Sequence, residues 1–509
     1  MTYPRRAEFR PERSNYALGC LTIVVVAVIL FFILLAIAPY YTTQIWWTIR
    51  ESLSFWIPVA IIAIFGVLAA SLPRRNSTAA LGFGLLAAAS LVGTIVFWCA
   101  HGYLEQQSYA QSVHVTSDPV PALAVRSPYN VAEKQVSADL GDVVGDINTT
   151  MYLPDQERFT TLVAQKGALS GYSTLLIQDI GTAGRNGHEL CGFSPAAGRR
   201  FGGLFASSLE RYINEHQRFV NWDSGDVYGY CDHGHPVVVT PLKQQSGVFV
   251  VTEKPAGVAL YHGDTGTLDI VTDPAQLARI PGPTYPLSIA ADQRDSVKAM
   301  SGYANYFWNR SGWELPGDLS EINSDNIGEY VLADADTHAP QYVTLVTPRG
   351  GNTSIAAIAT TPARLTAVGQ WAPITFHHTH WLSPQAIEQR IRTNFGAVFT
   401  LQPGATIAEL APVDENTWVA TIGLPQNMLY RVRGRGDLTG DLCLFQLDGT
   451  QISCGQMANT NGLGAGAAVQ QLPGSPGVAP VPAASDLRQL SKPQLIDLIQ
   501  RATAELGSR

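Results

Sequence analysis

The chain has 509 residues, 46% of them hydrophobic, and a formal net charge of −8 at pH 7. Residues 1–101 hold seven Arg and three Glu, net +4, whereas residues 102–509 hold 26 basic and 38 acidic residues, net −12. This acidic balance argues against nucleic acid as a partner, since phosphate binding depends on basic patches. The sequence also lacks a P-loop, an HExxH motif, a nucleophile elbow and a dinucleotide fingerprint, so it indicates no specific reaction.

Three uncharged apolar segments precede residue 102. They cover residues 17–39, 52–73 and 76–100. Each is long enough to cross a bilayer, which needs about 20 apolar residues per helix. The first segment is too long for a secretion signal, and Pro39 would follow its cleavage site directly. We therefore predict a cytoplasmic N-terminus over residues 1–16 and a transmembrane region of three helices over residues 17–101.

Basic residues determine the predicted orientation, because short cytoplasmic loops are enriched in Lys and Arg. They lie before the first segment and between the second and third: Arg5, Arg6, Arg10, Arg13, Arg74 and Arg75. The loop after the first segment holds only Arg50, balanced by Glu51. Few Lys and many Ala and Gly residues suggest a GC-rich bacterial source. The sequence thus predicts a multi-pass plasma-membrane protein whose residues 102–509 lie outside the cytoplasm, in a bacterial cell envelope.

The cysteines test this orientation, because disulfides persist in oxidising compartments and are rare in the cytosol. Four of the six lie in the proposed exterior part: Cys191, Cys231, Cys443 and Cys454. The last two flank a hairpin pattern with a turn at Asp448 and Gly449. We expect pairs between Cys443 and Cys454 and between Cys191 and Cys231; the alternative is four reduced, buried thiols.

The exterior part has the pattern of an α+β fold, in which antiparallel sheets carry packed helices. Residues 102–150 read as a stalk or wrapping segment, residues 151–382 as an α+β region, and residues 383–456 as a helix followed by a β-meander. Residues 239–256 and 346–363 align with each other as strand, turn and strand. This match suggests duplicated subdomains, although a chance match in a chain rich in Thr, Ala and Pro is the alternative.

The C-terminal part combines a linker with a short helix. Residues 457–486 are rich in Gly, Ala and Pro and lack the large apolar residues needed to fold. Residues 487–509 predict an amphipathic helix whose apolar face carries Leu495, Leu498, Ile499, Ala502 and Leu506. So short a helix rarely persists alone, so we expect it to dock on a protein partner or on its own chain.

Two pairs of histidines have the spacing of metal ligands. His378 and His380 lie in TFHHTHW after His377, and His233 and His235 lie in CDHGH. An H-x-H pair on a strand points both imidazoles to one face, and three such nitrogens can hold a catalytic zinc ion. The alternative reading is ordinary loop or edge-strand histidines, and no other cofactor is indicated.

An aromatic run falls in GYANYFWNRSGW. It comprises Tyr303, Tyr306, Phe307, Trp308 and Trp313. Such rings bind sugars of a cell-wall polymer, lie at the bilayer surface, or form core.

These patterns lead to three functional hypotheses. The first is a non-enzymatic, membrane-anchored binding or scaffold protein that contacts a protein partner or an envelope polymer and docks through its C-terminal helix. The second is an extracytoplasmic metal-dependent hydrolase that uses the two histidine pairs. The third is a structural subunit of a larger membrane assembly, because the small residues of 82–90 permit close helix packing.

Overall fold

The computed structural model describes residues 22, 25–27, 29–30, 32–33, 38–71, 77–141, 143–180, 186–316, 330–351, 353–424, 427–437 and 440–455. The described positions between 22 and 33 are helical and exposed. Most of the first predicted membrane segment, the N-terminus, the linker and the C-terminal helix lie outside the described residues.

The described helices fall in three places: near the N-terminus, among the strands, and before the last five strands. They are α1 (Pro39–Ser71), α2 (Ser77–Tyr109), α3 (Tyr129–Asp139), α4 (Leu209–His216), α5 (Pro274–Leu277), α6 (Leu287–Asp295), α7 (Pro384–Asn394) and α8 (Gly396–Leu401).

Helices α1 and α2 are long and apolar enough to cross a membrane. Each has 33 residues, and they lie side by side: the rings of Phe55 and Trp98 stack with centroids 4.9 Å apart, and Trp98 Nε1 donates to the Ser54 carbonyl at 3.1 Å. Their apolar side chains are mostly exposed, which in an aqueous protein would be unfavourable and in a bilayer is expected. These two helices suggest membrane anchoring; a third span is not confirmed.

The described strands all lie within residues 113–455, hereafter the sheet region. They are β1 (Val113–Thr116), β2 (Leu123–Ala124), β3 (Asp146–Leu153), β4 (Arg158–Ala164), β5 (Tyr172–Ile180), β6 (Asn186–Gly192), β7 (Val220–Asn221), β8 (Tyr228–Asp232), β9 (His235–Ser246), β10 (Thr252–His262), β11 (Leu268–Val271), β12 (Trp313–Glu314), β13 (Tyr330–Asp334), β14 (Pro340–Pro348), β15 (Ala357–Pro362), β16 (Ile374–His378), β17 (Thr406–Pro412), β18 (Thr417–Leu424), β19 (Asn427–Arg435), β20 (Leu442–Phe445) and β21 (Gln451–Gly455).

These strands form four sheets, and the fold is α+β as predicted. The orders are β1-β16-β15-β14-β13-β2 with β12 beside β14, β11-β10-β9-β7 with β8 beside β9, β3-β4-β5-β6, and the meander β17-β18-β19-β20-β21. Only β1 and β16 pair in parallel among the described strands; all other pairs are antiparallel. Residues 102–150 therefore supply the end of α2, α3 and both outer strands of the first sheet.

The hairpin of β9 and β10 illustrates why these residues form sheet. Val237, Val238 and Val239 are β-branched and buried on both faces, which favours extended backbone. The strand pairing shifts by one residue between Pro255 and Gly257. Gly257 has φ of 110°, and a Cβ there would lie 2.7 Å from the Val271 carbonyl oxygen, so this bulge requires glycine.

Helix α7 packs on the meander through a continuous apolar core. Ser383 caps the helix by accepting a hydrogen bond from the Ala386 backbone N–H at 3.1 Å. Ile387 and Ile391 are fully buried against Trp418 and its neighbours. The same cluster includes residues of β13, β14 and β15, so α7 joins the meander to the seven-stranded sheet.

A buried ion pair also connects the sheets. The side chains of Arg126 and Glu409 are 2% and 3% exposed, and Arg126 Nη1 donates to both Glu409 carboxylate oxygens at 2.9 and 2.7 Å. Arg126 Nε donates to the Val331 carbonyl at 2.9 Å, and the Tyr129 N–H donates to Glu409 at 3.0 Å. The loop at 125–128, β13 and β17 thus meet at one buried ion pair.

The structure does not confirm the predicted duplication. Residues 239–256 and 346–363 both lie in antiparallel hairpins, but in different sheets with different strand orders. Val239 pairs with Leu260 in the middle of β9, whereas Val346 pairs with Ala357 near the end of β14. The turns therefore fall at different places in the two matched stretches. Similar amino-acid sequences here form hairpins with different strand registers.

Candidate functional site

The start of α1 is bound to the sheet region rather than held in a loop. Trp47 is 4% exposed, and its Nε1 donates to the Phe219 carbonyl at 3.3 Å. Arg50 donates to the carbonyls of Gln245, at 3.0 Å, and of Gly247. Gln245 in turn donates to the Trp47 carbonyl at 3.3 Å. The first turns of α1 are thus a structural part of the sheet region.

The end of α2 makes equivalent contacts with the same hairpin of β9 and β10. The Tyr109 hydroxyl, almost fully buried, accepts a hydrogen bond from the Glu253 backbone N–H at 2.7 Å, and its ring lies 5.2 Å from that of Trp371. His101 Nε2 donates to the Phe249 carbonyl at 3.1 Å. We call these two sets of contacts, at residues 43–51 and 97–109, the joint.

Titratable groups lie beneath the joint. Lys243 Nζ is 2.7 Å from a Glu253 carboxylate oxygen. Asp226 accepts from the Leu287 backbone N–H at 3.1 Å, at the start of α6, and burial followed by the charge of a neighbouring aspartate raises its pKa to about 7. Burial, with the charge of Glu253 second, raises the pKa of Asp292 to about 6. Burial thus raises the pKa of two carboxyl groups near Lys243.

Four of the five predicted aromatic residues form a cluster on α2. The aromatic cluster comprises Tyr303, Tyr306, Phe307 and Trp308, and Trp308 is 72% exposed. Tyr103 of α2 lies edge-on to Tyr303 and Tyr306, with centroids 5.3 and 5.6 Å away. A π-helical turn at Asn305–Asn309 presents these rings.

Trp313 separates from this cluster. Its ring stacks on Phe376 at 5.2 Å and packs against the apolar cluster of β1, β14, β15 and β16. The aromatic run therefore divides into an exposed surface and one ring that belongs to the core.

An open cleft of about 410 Å³ adjoins the aromatic cluster. Its walls are formed by Tyr306, Phe307, Arg310, Glu314, Arg349, Gly350 and Gly351. The Arg349 guanidinium lies 5.9 Å from the Tyr306 ring centroid and donates to the Ser311 carbonyl at 3.4 Å. Neither arginine forms an ion pair with a carboxylate in the described part of the chain. Two guanidinium groups without an ion-pair partner among the described residues thus line a cleft beside α2.

The two histidine pairs lie in different sheets. His233 and His235 are at the turn of β8 and β9, where His235 Nδ1 is 3.3 Å from an Asp264 oxygen. His378 ends β16 with its ring 5.1 Å from Trp313, and His380 follows, exposed. Among the described residues, no group of three or more His, Cys, Asp or Glu side chains is placed to hold a metal ion. The structure therefore does not bring the pairs into a shared ligand set.

His377 has a structural environment. It is 6% exposed, lies 3.1 Å from Thr360 Oγ1, and its Nδ1 donates to the Asp118 carbonyl at 3.1 Å. The ring thus ties β16 to β15 and to the loop after β1.

Both expected disulfide pairs are present. Cys191 and Cys231 have Cα atoms 6.2 Å apart and join β6 to β8, which belong to different sheets. Cys443 and Cys454 lie directly opposite each other in the hairpin of β20 and β21, with Cα atoms 4.0 Å apart. The pairs suggest that the sheet region lies in an oxidising, extracytoplasmic compartment.

The C-terminal helix with Leu495, Leu498, Ile499, Ala502 and Leu506 lies outside the described residues. The sequence predicts a loop between spans at residues 40–51, so it does not indicate the joint. A usable signal exists: residues 40–57 contain neither Gly nor Pro, so nothing in them ends a helix.

Sequence reasoning also gave Arg349 no role. Arg310, the other arginine of the cleft, lies within the aromatic run of the sequence. Arg349 lies on the turn after β14 and is close to that run only in the folded structure.

Comparison with known proteins finds no matching family model, no matching curated protein and no matching solved structure.

Proposed function

We propose that this protein is a non-enzymatic, membrane-anchored scaffold of a bacterial cell envelope, and that it binds a protein partner outside the cytoplasm. The observation that carries the proposal is the joint. Trp47, Arg50 and Tyr109 fasten the two apolar helices to the sheet region through at least one hydrogen bond each. A region fixed in this way offers a binding surface at constant orientation, which suits a scaffold better than a freely tethered domain.

The proposed orientation rests on two independent features. The joint places the start of α1 and the end of α2 beside the sheet region, so the opposite ends, Ser71 and Ser77, lie far from it. Arg74 and Arg75 fall between those ends in the sequence and favour the cytoplasmic side. The disulfides favour an oxidising compartment for the sheet region. An N-terminal segment that crosses once more would then put Arg5 and Arg6 in the cytoplasm as well.

The C-terminal helix is the proposed docking element. Its apolar face and the preceding 30 residues of Gly-, Ala- and Pro-rich chain support a tethered segment that reaches a groove on a partner.

The test compares proteins that co-purify with the full chain and with a chain that ends at Asp486, both extracted from native membranes and quantified by mass spectrometry. We expect one partner to be lost on truncation and also lost on Leu498→Glu, which adds charge to the apolar face. Gln500→Glu, on the polar face, is the matched control and should retain it. Equal recovery from all samples would exclude docking through this helix.

A structural subunit of a larger membrane assembly is the second candidate. Gly84 and Ala88 lie one turn apart on α2, exposed, and no described atom lies within 4 Å of the place where a Cβ on Gly84 would be. The neighbouring Phe83 instead faces α1, where its ring contacts Phe65 at 6.4 Å. This open flank permits close approach of another helix.

Substitution of Gly84 and Ala88 by Leu tests the second candidate. The assembly, followed by native gel electrophoresis in mild detergent, should dissociate. Leu86→Phe changes an exposed residue on the opposite side of the same helix and serves as control. An unchanged assembly in the double variant would rule out this flank as an interface.

A further inference from the structure

We propose that the cleft lined by Arg310 and Arg349 binds the phosphate of an anionic glycerophospholipid, while the adjoining aromatic cluster lies in the headgroup layer. The inference depends on membrane anchoring by α1 and α2 and not on the scaffold function. It assigns a ligand class to a surface that faces the bilayer.

The height of the cleft follows from its contacts with α2. The uncharged run of this helix ends at Ala100, and Trp98 is at the level that indole rings prefer, the boundary between hydrocarbon and headgroups. Tyr103 lies five residues further along, about 7.5 Å at 1.5 Å per residue. Because Tyr103 touches Tyr303 and Tyr306, the aromatic cluster lies at headgroup level.

A second apolar point lies at the same end of α2. The tip of the β9 to β10 hairpin exposes Val248 and Phe249, at 56% and 49%. The Phe249 ring is 6.4 Å from that of Phe97, within the apolar part of the helix. Exposed large apolar residues that are continuous with a membrane helix have the bilayer as their adjacent phase. The hairpin tip and the aromatic cluster therefore both rest on the bilayer surface.

The charges of the cleft fit a phosphodiester. Arginine presents planar N–H groups that match two phosphate oxygens, and two arginines offer more charge than one monoanion requires. Glu314 on the same wall brings the net charge of the three groups to about +1, which balances one phosphodiester. Glu314 repels the second charge of free phosphate and accepts hydrogen bonds from a hydroxylated headgroup. The ligand class is therefore a lipid such as phosphatidylglycerol.

Native mass spectrometry of the full chain, released from detergent with added lipid, measures this binding. We expect phosphatidylglycerol to bind at least about tenfold more tightly than phosphatidylcholine, because the choline group cancels the charge of the phosphate that the two arginines attract and has no hydroxyl to donate to Glu314. Arg310→Ala with Arg349→Ala should abolish the difference, and Arg433→Ala, an exposed arginine of β19, should preserve it. Arg310→Lys with Arg349→Lys retains the positive charges but removes the planar pair of N–H donors, and should give an intermediate affinity.

Three results would overturn the proposal. They are equal binding of both lipids, unchanged selectivity in the double alanine variant with intact disulfides, and displacement of the lipid by millimolar inorganic phosphate or glycerol phosphate, which would make the ligand a soluble phosphate.

A second measurement tests the position of the cluster independently. A polarity-sensitive dye on Trp308→Cys, in the full chain in nanodiscs with Cys20 and Cys99 replaced by Ser, should report a buried, blue-shifted environment. The same dye on Leu401→Cys, an equally exposed site in α8, should report water. A water-like signal from both sites would place the cluster away from the bilayer.

Discussion

Replacing Glu409 by glutamine should destabilise the sheet region more than any conservative surface change. The carboxylate accepts two hydrogen bonds from Arg126 and one from the Tyr129 N–H, and both charged side chains are almost inaccessible to water. The amide leaves the buried guanidinium without a counter-charge. Breaking a buried pair on one side typically costs about 3–5 kcal/mol.

The double variant Arg126→Met with Glu409→Leu should be less damaging than the single one, although it changes more atoms. It removes both charges and leaves only neutral groups unpaired: the carbonyls of Val331 and Ser127 and the N–H of Tyr129. Neutral buried groups cost about 1 kcal/mol each at the lower end, and replacing a buried pair by apolar side chains is often neutral. We expect the double variant to recover about 1–2 kcal/mol relative to the single one.

The assay is urea unfolding of the full chain in detergent micelles, followed by tryptophan fluorescence, with the free energy extrapolated to zero urea and the slope checked for constancy. The exposed Glu215→Gln is the control and should change stability by less than about 0.5 kcal/mol. A loss below about 1 kcal/mol for Glu409→Gln, or a larger loss for the double variant, would show that charge burial is not the controlling term.

Three further outcomes follow from the joint and the core. The pKa of Asp226 is about 7 in the folded state and about 3.9 in the unfolded chain, so the free energy of unfolding should fall as pH rises between these values. Asp226→Asn should reduce the difference in unfolding free energy between pH 5 and pH 8, measured by urea titration. An unchanged difference would refute this. Replacing Cys191 and Cys231 by Ser opens a ring of 40 residues and should cost about 4 kcal/mol by the same assay, and a cost near zero would contradict the ring estimate. Arg50→Ala should speed amide hydrogen exchange around Gln245 without loss of helix content by circular dichroism, and unchanged exchange would mean that Arg50 is not a fastening group.

Local signals in the sequence were sufficient for the elements whose partners are close in the chain. The helix predicted at the start of residues 383–456 is α7; its local signals are Ser383, which caps it, and the spacing of Ile387, Ile391 and Phe395, which are buried. Cys443 and Cys454 flank a turn, so their pairing follows from the hairpin itself. In each case the turn or helix geometry alone determines which residues meet.

Contacts between distant residues could not be predicted from one sequence. Val113 pairs with Ile374 in the parallel edge of the large sheet, and Arg126 meets Glu409 across 283 positions. No local pattern encodes such pairings, because they depend on the packing of whole sheets. The cleft is of the same kind: Arg349 reaches the aromatic cluster only because β14 ends beside it. The apolar count located the two long helices, but not where α1 begins, since hydropathy does not distinguish a loop from a helix bound to a neighbouring sheet.

The joint fixes the height of the sheet region along α1 and α2. From Pro39 to Arg50, α1 rises about 17 Å at 1.5 Å per residue, and every turn of that length is backed by the sheet region. No loop separates the start of α1 from its contacts with Phe219 and the β9–β10 hairpin, so the sheet region has a fixed orientation on the two helices. In the proposed arrangement, a partner reaches the sheet region at one height above the bilayer, and force on that region passes directly to α1 and α2.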